Sequence, residues 1–153
     1  MAGGQLRLGH SEGNLANPDR YRPSDGHQNR GNMNCRITKS FRLDAAHWLP
    51  EVPDGHKCGR LHGHTYTIVL GLEGALETRM GWVQDYGEVS RAFAPVLDMF
   101  DHHCLNEIEG LENPTAEVMA AWIFHRLKTE LPLLRDVTVC ETSTTTAVFR
   151  WDG

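Results

Sequence analysis

The sequence has no apolar run of about 18 residues or more, so nothing in it reads as a membrane span. It has no basic excess. Lys and Arg number 15 against 20 Asp and Glu, and a net charge of -5 argues against a nucleic-acid binder that relies on phosphate contacts. The first thirty residues hold no apolar segment of the kind that forms a secretory leader. The four cysteines (Cys35, Cys58, Cys104 and Cys140) are therefore expected as free thiols in a reducing, cytoplasmic setting. Cys35, Cys104 and Cys140 lie in or beside apolar segments and read as small buried hydrophobes. Cys58 sits in a polar loop beside Lys57. No internal repeat is present, which excludes a solenoid. The residue in unusual supply is histidine, with nine copies in 153 residues.

Apolar residues are also scarce at the N-terminus. Residues 1–34 contain six Gly and no Val, Ile, Phe or Trp, and carry a net charge of +1. Such a segment cannot bury enough surface to offset its ordering entropy. The expectation is a disordered tail over 1–34 and a single domain over 35–153.

From Cys35 to His47, Ile37, Phe41, Leu43 and Ala45 fall on odd positions, the period of a half-buried strand. His47 shares their parity and so points inward. After a Pro- and Gly-rich loop, a second strand begins near His62, with Tyr66, Ile68, Leu70 and Leu72 inward. His62 and His64 share that face. Asp85 with Glu88 has the pattern of a capping box. Val89, Phe93, Val96, Leu97 and Phe100 then form a helical stripe, kinked by Pro95. A second helix starts around Asn113-Pro114-Thr115, with Val118, Met119, Trp122, Ile123 and Leu127 inward. Val137–Glu141 and Ala147–Trp151 read as a closing hairpin. The fold class is α+β, in the order β-β-α-α-β-β: an antiparallel four-stranded sheet with two helices on one face. Its open edges would be removed if several subunits closed into a barrel.

His62-Gly63-His64 places two imidazoles at i and i+2 on one strand face, about 7 Å apart by strand rise. With His47 on the neighbouring strand they form a three-histidine set, the pattern of an open zinc site. Iron or nickel suits the same ligands. The competing reading is three core histidines, each satisfied by a hydrogen bond. Cys58 could be a fourth ligand closing a structural site, or a thiolate acting as base or nucleophile. Asp101-His102, just past a helix end, has the composition of a general acid/base pair. Glu141 shares parity with Val137 and Val139, so its carboxylate points inward and needs either a ligand or a buried Arg.

Taken together, His47, Cys58-x3-His62-Gly63-His64, Asp101-His102-x2-Leu105-Asn106, Asn113-Pro114-Thr115-x-Glu117 and Glu141-Thr142 resemble the tunnelling-fold pterin synthases. This is the 6-pyruvoyl-tetrahydropterin synthase family, and the resemblance covers about residues 35–152. It implies one zinc per subunit on His47, His62 and His64, Cys58 as proton acceptor with Asp101 and His102 as its relay, and Glu141 holding the pterin ring. Lys57, Arg60 and Thr115 are further candidates for substrate contact. The implied assembly is a cytoplasmic homohexamer, a dimer of trimers, with no nucleic-acid or membrane partner. The short Gly59-Arg60-Leu61 spacer resembles the bacterial 6-carboxy-5,6,7,8-tetrahydropterin synthase branch rather than the animal pyruvoyl branch, where the spacer is longer. That branch is a carbon–carbon lyase of queuosine (7-deazapurine) synthesis. It converts 7,8-dihydroneopterin triphosphate and water to 6-carboxytetrahydropterin, acetaldehyde and triphosphate. Two alternatives stand beside it: a pyruvoyl synthase, and a non-catalytic zinc-stabilised pterin- or purine-binding protein with Cys58 as a structural ligand.

Overall fold

The computed structural model describes residues 33–151. The tail expected over 1–34 lies outside the described residues except for its last two. Asn34 is already the first residue of a strand, and the Met33 carbonyl accepts from the Leu76 N–H.

The chain forms β1 (Asn34–His47), β2 (His62–Ala75), α1 (Tyr86–Phe100), α2 (Ala116–Leu127), β3 (Leu134–Thr142) and β4 (Thr145–Arg150). The strands make one antiparallel sheet in the order β1-β2-β3-β4. The alternation read from the sequence sets its two faces. Leu43, Tyr66, Ile68, Leu70, Val137 and Val139 are buried and join one core with the helices. The opposite face carries mostly polar residues such as Thr38, Ser40, Arg42 and Thr67.

Both helices begin at side-chain caps. Asp85 accepts from the Gly87 N–H and Thr115 from the Val118 N–H, each satisfying a donor that the first turn leaves free. α1 buries Val89, Phe93, Val96 and Phe100. It runs through Pro95, which is exposed, so the ring adds nothing to the core and a helix bond is lost on the outer side. In α2 the buried face is Met119, Ala120, Ile123, Phe124 and Leu127. The sequence placed Val118 inward, but it is exposed. The inward stripe is rotated by one position, with Phe124 taking its place. Cys35 also departs from expectation. Its parity is correct, but it lies at the outer end of β1 and is exposed, while Cys104 and Cys140 are half-buried; all are free thiols. No helix among the described residues is long and apolar enough to cross a membrane.

After α1 the chain turns back along the free edge of β1. The His102 N–H donates to the Asp44 carbonyl at 2.6 Å, and the Ala46 N–H to the His103 carbonyl at 3.0 Å. Ala46 and Cys104 form a parallel bridge. This return brings Asp101 and His102 to the end of the sheet where the strand histidines lie.

Candidate metal centre

Register creates the centre. β1 and β2 pair so that His47 stands opposite His62 and Ala45 opposite His64. Directly opposed and diagonal side chains on one face touch, and the three rings gather with centroids 4.5, 5.2 and 4.9 Å apart. One nitrogen from each of His47, His62 and His64 lies within 4.8 Å of the others.

Two backbone carbonyls fix which nitrogen faces the cluster. His47 Nδ1–H donates to the Pro114 carbonyl at 3.0 Å, and His62 Nδ1–H to the Arg60 carbonyl at 2.7 Å. A carbonyl only accepts, so each Nδ1 carries the proton and each neutral ring presents a lone pair at Nε2. This is the outer support that metal-ligating histidines use. Burial holds His47 and His64 below the ordinary histidine range; the Pro114 bond and the Glu141 charge oppose that shift at His47, and Glu141 alone at His64. The net shift favours the neutral ring, the form that binds a cation.

Glu141 adds a negative charge. Its Oε1 lies 3.3 Å from His47 Nε2 and 3.4 Å from His64 Nε2. Both nitrogens are nevertheless buried without a hydrogen-bond partner. A lone pair facing a carboxylate is repulsive unless a cation sits among them. The donor set therefore fits a metal ion: His47 and His62 each make one hydrogen bond, as three core histidines would, but Nε2 of His47 and of His64 is left unanswered. Glu141 meets these imidazoles, not the buried Arg that was the competing expectation.

Cys58 lies in a single turn of 3-10 helix, Lys57–Gly59, and is half-buried. Its carbonyl accepts from the Leu49 N–H and its N–H donates to His56 Nδ1. Its thiol is not in the cluster of mutually close ligand atoms. Lys57 and Arg60 are exposed beside it, and Arg60 contributes to the centre through its carbonyl. The Thr115 hydroxyl is engaged as the cap of α2.

Asp101 and His102 are turned toward each other, with His102 Nδ1 3.0 Å from Asp101 Oδ2. His102 achieves this at a φ of 62°, left-handed backbone that a non-glycine residue seldom adopts. The second Asp101 oxygen accepts from the Asp44 N–H at 2.9 Å. That bond, more than His102, holds the carboxyl below its usual range. His102 is 76 % exposed, so its Nε2 is open to solvent or a ligand. It shares a cleft with His64, Gly63, Thr65, Ala46 and Cys104. His103 turns its Nδ1 to the Asp101 carbonyl and takes no part in the pair.

The Pro114 and Arg60 carbonyls and Tyr66 are parts of the centre that residue types alone did not flag. Tyr66 shares the even parity of His62 and His64, the one signal that could have exposed it.

The family model described as 6-pyruvoyl tetrahydropterin synthase matches residues 36–152. A Synechocystis protein named 6-carboxy-5,6,7,8-tetrahydropterin synthase is 40% identical over 117 residues, 72% of this chain and 89% of its own length. A Pyrococcus furiosus protein named dihydroneopterin monophosphate aldolase is 34% identical, over 65% of this chain and 81% of its own. The solved 6-pyruvoyl tetrahydropterin synthase of Caenorhabditis elegans superposes with a TM-score of 0.73 at 25% identity, covering 78% of this chain and 97% of that one.

Proposed function

The chain belongs to the 6-pyruvoyl tetrahydropterin synthase family, and on that premise we propose that it is a zinc-dependent 6-carboxy-5,6,7,8-tetrahydropterin synthase. The observation that carries the reading is the convergence of the His47, His62 and His64 nitrogens, with Glu141 against them, in a chain 40% identical to a relative of that name. The three-residue spacer between Cys58 and His62 supports the carboxy reaction over the pyruvoyl one. The substrates are 7,8-dihydroneopterin triphosphate and water. The products are 6-carboxytetrahydropterin, acetaldehyde and triphosphate, a carbon–carbon cleavage feeding queuosine synthesis in the cytoplasm.

Zinc, one ion per subunit, supplies Lewis-acid polarisation of the substrate's side-chain oxygens when bound. The chain's own groups do the rest. Glu141 accepts from the ring N–H and exocyclic amine of the pterin, a charge-assisted pair that fixes ring orientation. Cys58 is the proton acceptor toward the substrate side chain. His102 moves protons at Nε2 while Asp101, clamped by the Asp44 N–H, holds its Nδ1. Lys57 and Arg60, exposed beside Cys58, supply cations for the triphosphate, and Thr115 contributes through the turn it caps. The polar sheet face and free edges support closure of subunits into a barrel, as a homohexamer.

The test is incubation of the zinc-loaded protein with 7,8-dihydroneopterin triphosphate, followed by mass analysis of the pterin and an acetaldehyde assay. Carboxytetrahydropterin with equimolar acetaldehyde is expected. A pyruvoyl product without acetaldehyde contradicts the assignment, and no turnover favours the non-catalytic binding protein.

A further inference from the structure

Four buried side-chain polar atoms among the described residues have no hydrogen-bond partner: His47 Nε2, His64 Nε2, the Tyr66 hydroxyl and Asn113 Oδ1. The two nitrogens are accounted for by the metal centre. Asn113 precedes Pro114, whose carbonyl receives His47. The Tyr66 hydroxyl is the member of this group that nothing above explains.

Tyr66 is fully buried, two residues beyond His64 on the same strand face. Its ring meets His64 edge-on at 5.5 Å and His47 at 6.0 Å between centroids. Phenylalanine would make those contacts equally well. A hydroxyl sealed from water without a partner costs stability that phenylalanine would not. Unsatisfied groups of this kind gather at functional sites, where a local rule is broken for the sake of the ligand. The charge that faces it is Glu141: the hydroxyl makes no hydrogen bond of good geometry, yet it lies close enough to that carboxylate for the contact to join burial in raising the Tyr66 pKa.

We propose that Tyr66 is a positioning residue, whose hydroxyl donates to the Glu141 carboxylate and fixes it for the paired donors of a pterin ring. The proposal deepens the reading of Glu141 and rests on it. In the geometry observed, Glu141 leans on the Nε2 atoms of His47 and His64. Those nitrogens give the carboxylate no hydrogen bond. The Tyr66 O–H is the buried donor on the same face.

The experiment compares wild type, Tyr66→Phe, Glu141→Gln and the double variant as zinc-loaded full-length proteins. It measures the dissociation constant for 7,8-dihydroneopterin, the metal count and the melting temperature. Tyr66→Phe is expected to weaken pterin binding roughly tenfold. Zinc should stay unchanged and the melting temperature should hold or rise. In the Glu141→Gln background the same change should have little further effect, since its route through the carboxylate is already gone. An unchanged dissociation constant overturns the proposal. So does a full tenfold loss persisting in the Glu141→Gln background, which would mean that Tyr66 acts without Glu141. A fall in zinc or melting temperature that accounts for the loss overturns it as well, by making the hydroxyl structural. Failure of wild type to bind the pterin would instead defeat the proposed function, so the two failures are distinguishable.

Discussion

Two polar residues are buried in the described sheet, at opposite ends, and they are treated in opposite ways. Asp136 on β3 is 2% exposed and fully answered. Arg36 reaches across β2 and donates to both its oxygens, at 2.6 and 3.3 Å. Gly71, between them on β2, makes this possible: a Cβ there would fall 2.5 Å from the carboxylate and 2.6 Å from the guanidinium. His47 is 1% exposed, and its inward nitrogen faces another ring's lone pair and a carboxylate, with no donor from the chain. A buried polar group completed by its own chain serves the fold. One left incomplete, with its neighbours held in place by backbone carbonyls, is arranged for something the chain does not provide.

The contrast can be broken at either end. The largest expected effect is His62→Ala, which leaves two imidazoles and should abolish metal content and turnover together, read by metal analysis and product assay on one preparation. Cys58→Ala should keep the metal and lower turnover by about 10²–10⁴-fold, the range of a lost general base. Metal lost with the thiol would make Cys58 a ligand. Glu141→Gln sets N–H against N–H and should weaken pterin affinity by tens to hundreds of times, at about 1–3 kcal/mol for mispaired buried groups. Its zinc content should hold.

At the other end the readout is stability alone. Arg36→Ala strands a buried carboxylate and should cost about 2–3 kcal/mol in denaturant unfolding, less than a wholly buried pair because Arg36 is 45% exposed. Metal and pterin binding should not change. The smallest effect is reserved for deletion of residues 1–32, which we expect to leave melting temperature and activity intact.

The centre was legible because strand parity is rigid. Once His47, His62 and His64 shared the parity of Leu43 and Ile68, no other face was open to them. Helices are less forgiving, since one position turns a side chain by about 100°, and Val118 was misplaced by that amount. Cys35 shows another limit. Parity tells the face but not whether the helices extend far enough to cover it. The carbonyls of Pro114 and Arg60 were illegible, because every residue carries one and only register selects which pair meets an imidazole. Glu141 was rightly turned inward, but its partners come from other strands, beyond reach of a local reading.

The central claim is that three imidazoles, without the Cys58 thiol, hold a metal in the folded chain. Zinc-edge X-ray absorption on the full-length, zinc-loaded protein tests it most directly. The account predicts one zinc per chain with a nitrogen and oxygen shell at about 2.0–2.2 Å and no sulfur. A sulfur shell at about 2.3 Å, or less than stoichiometric zinc in a protein that retains its fold, would contradict it.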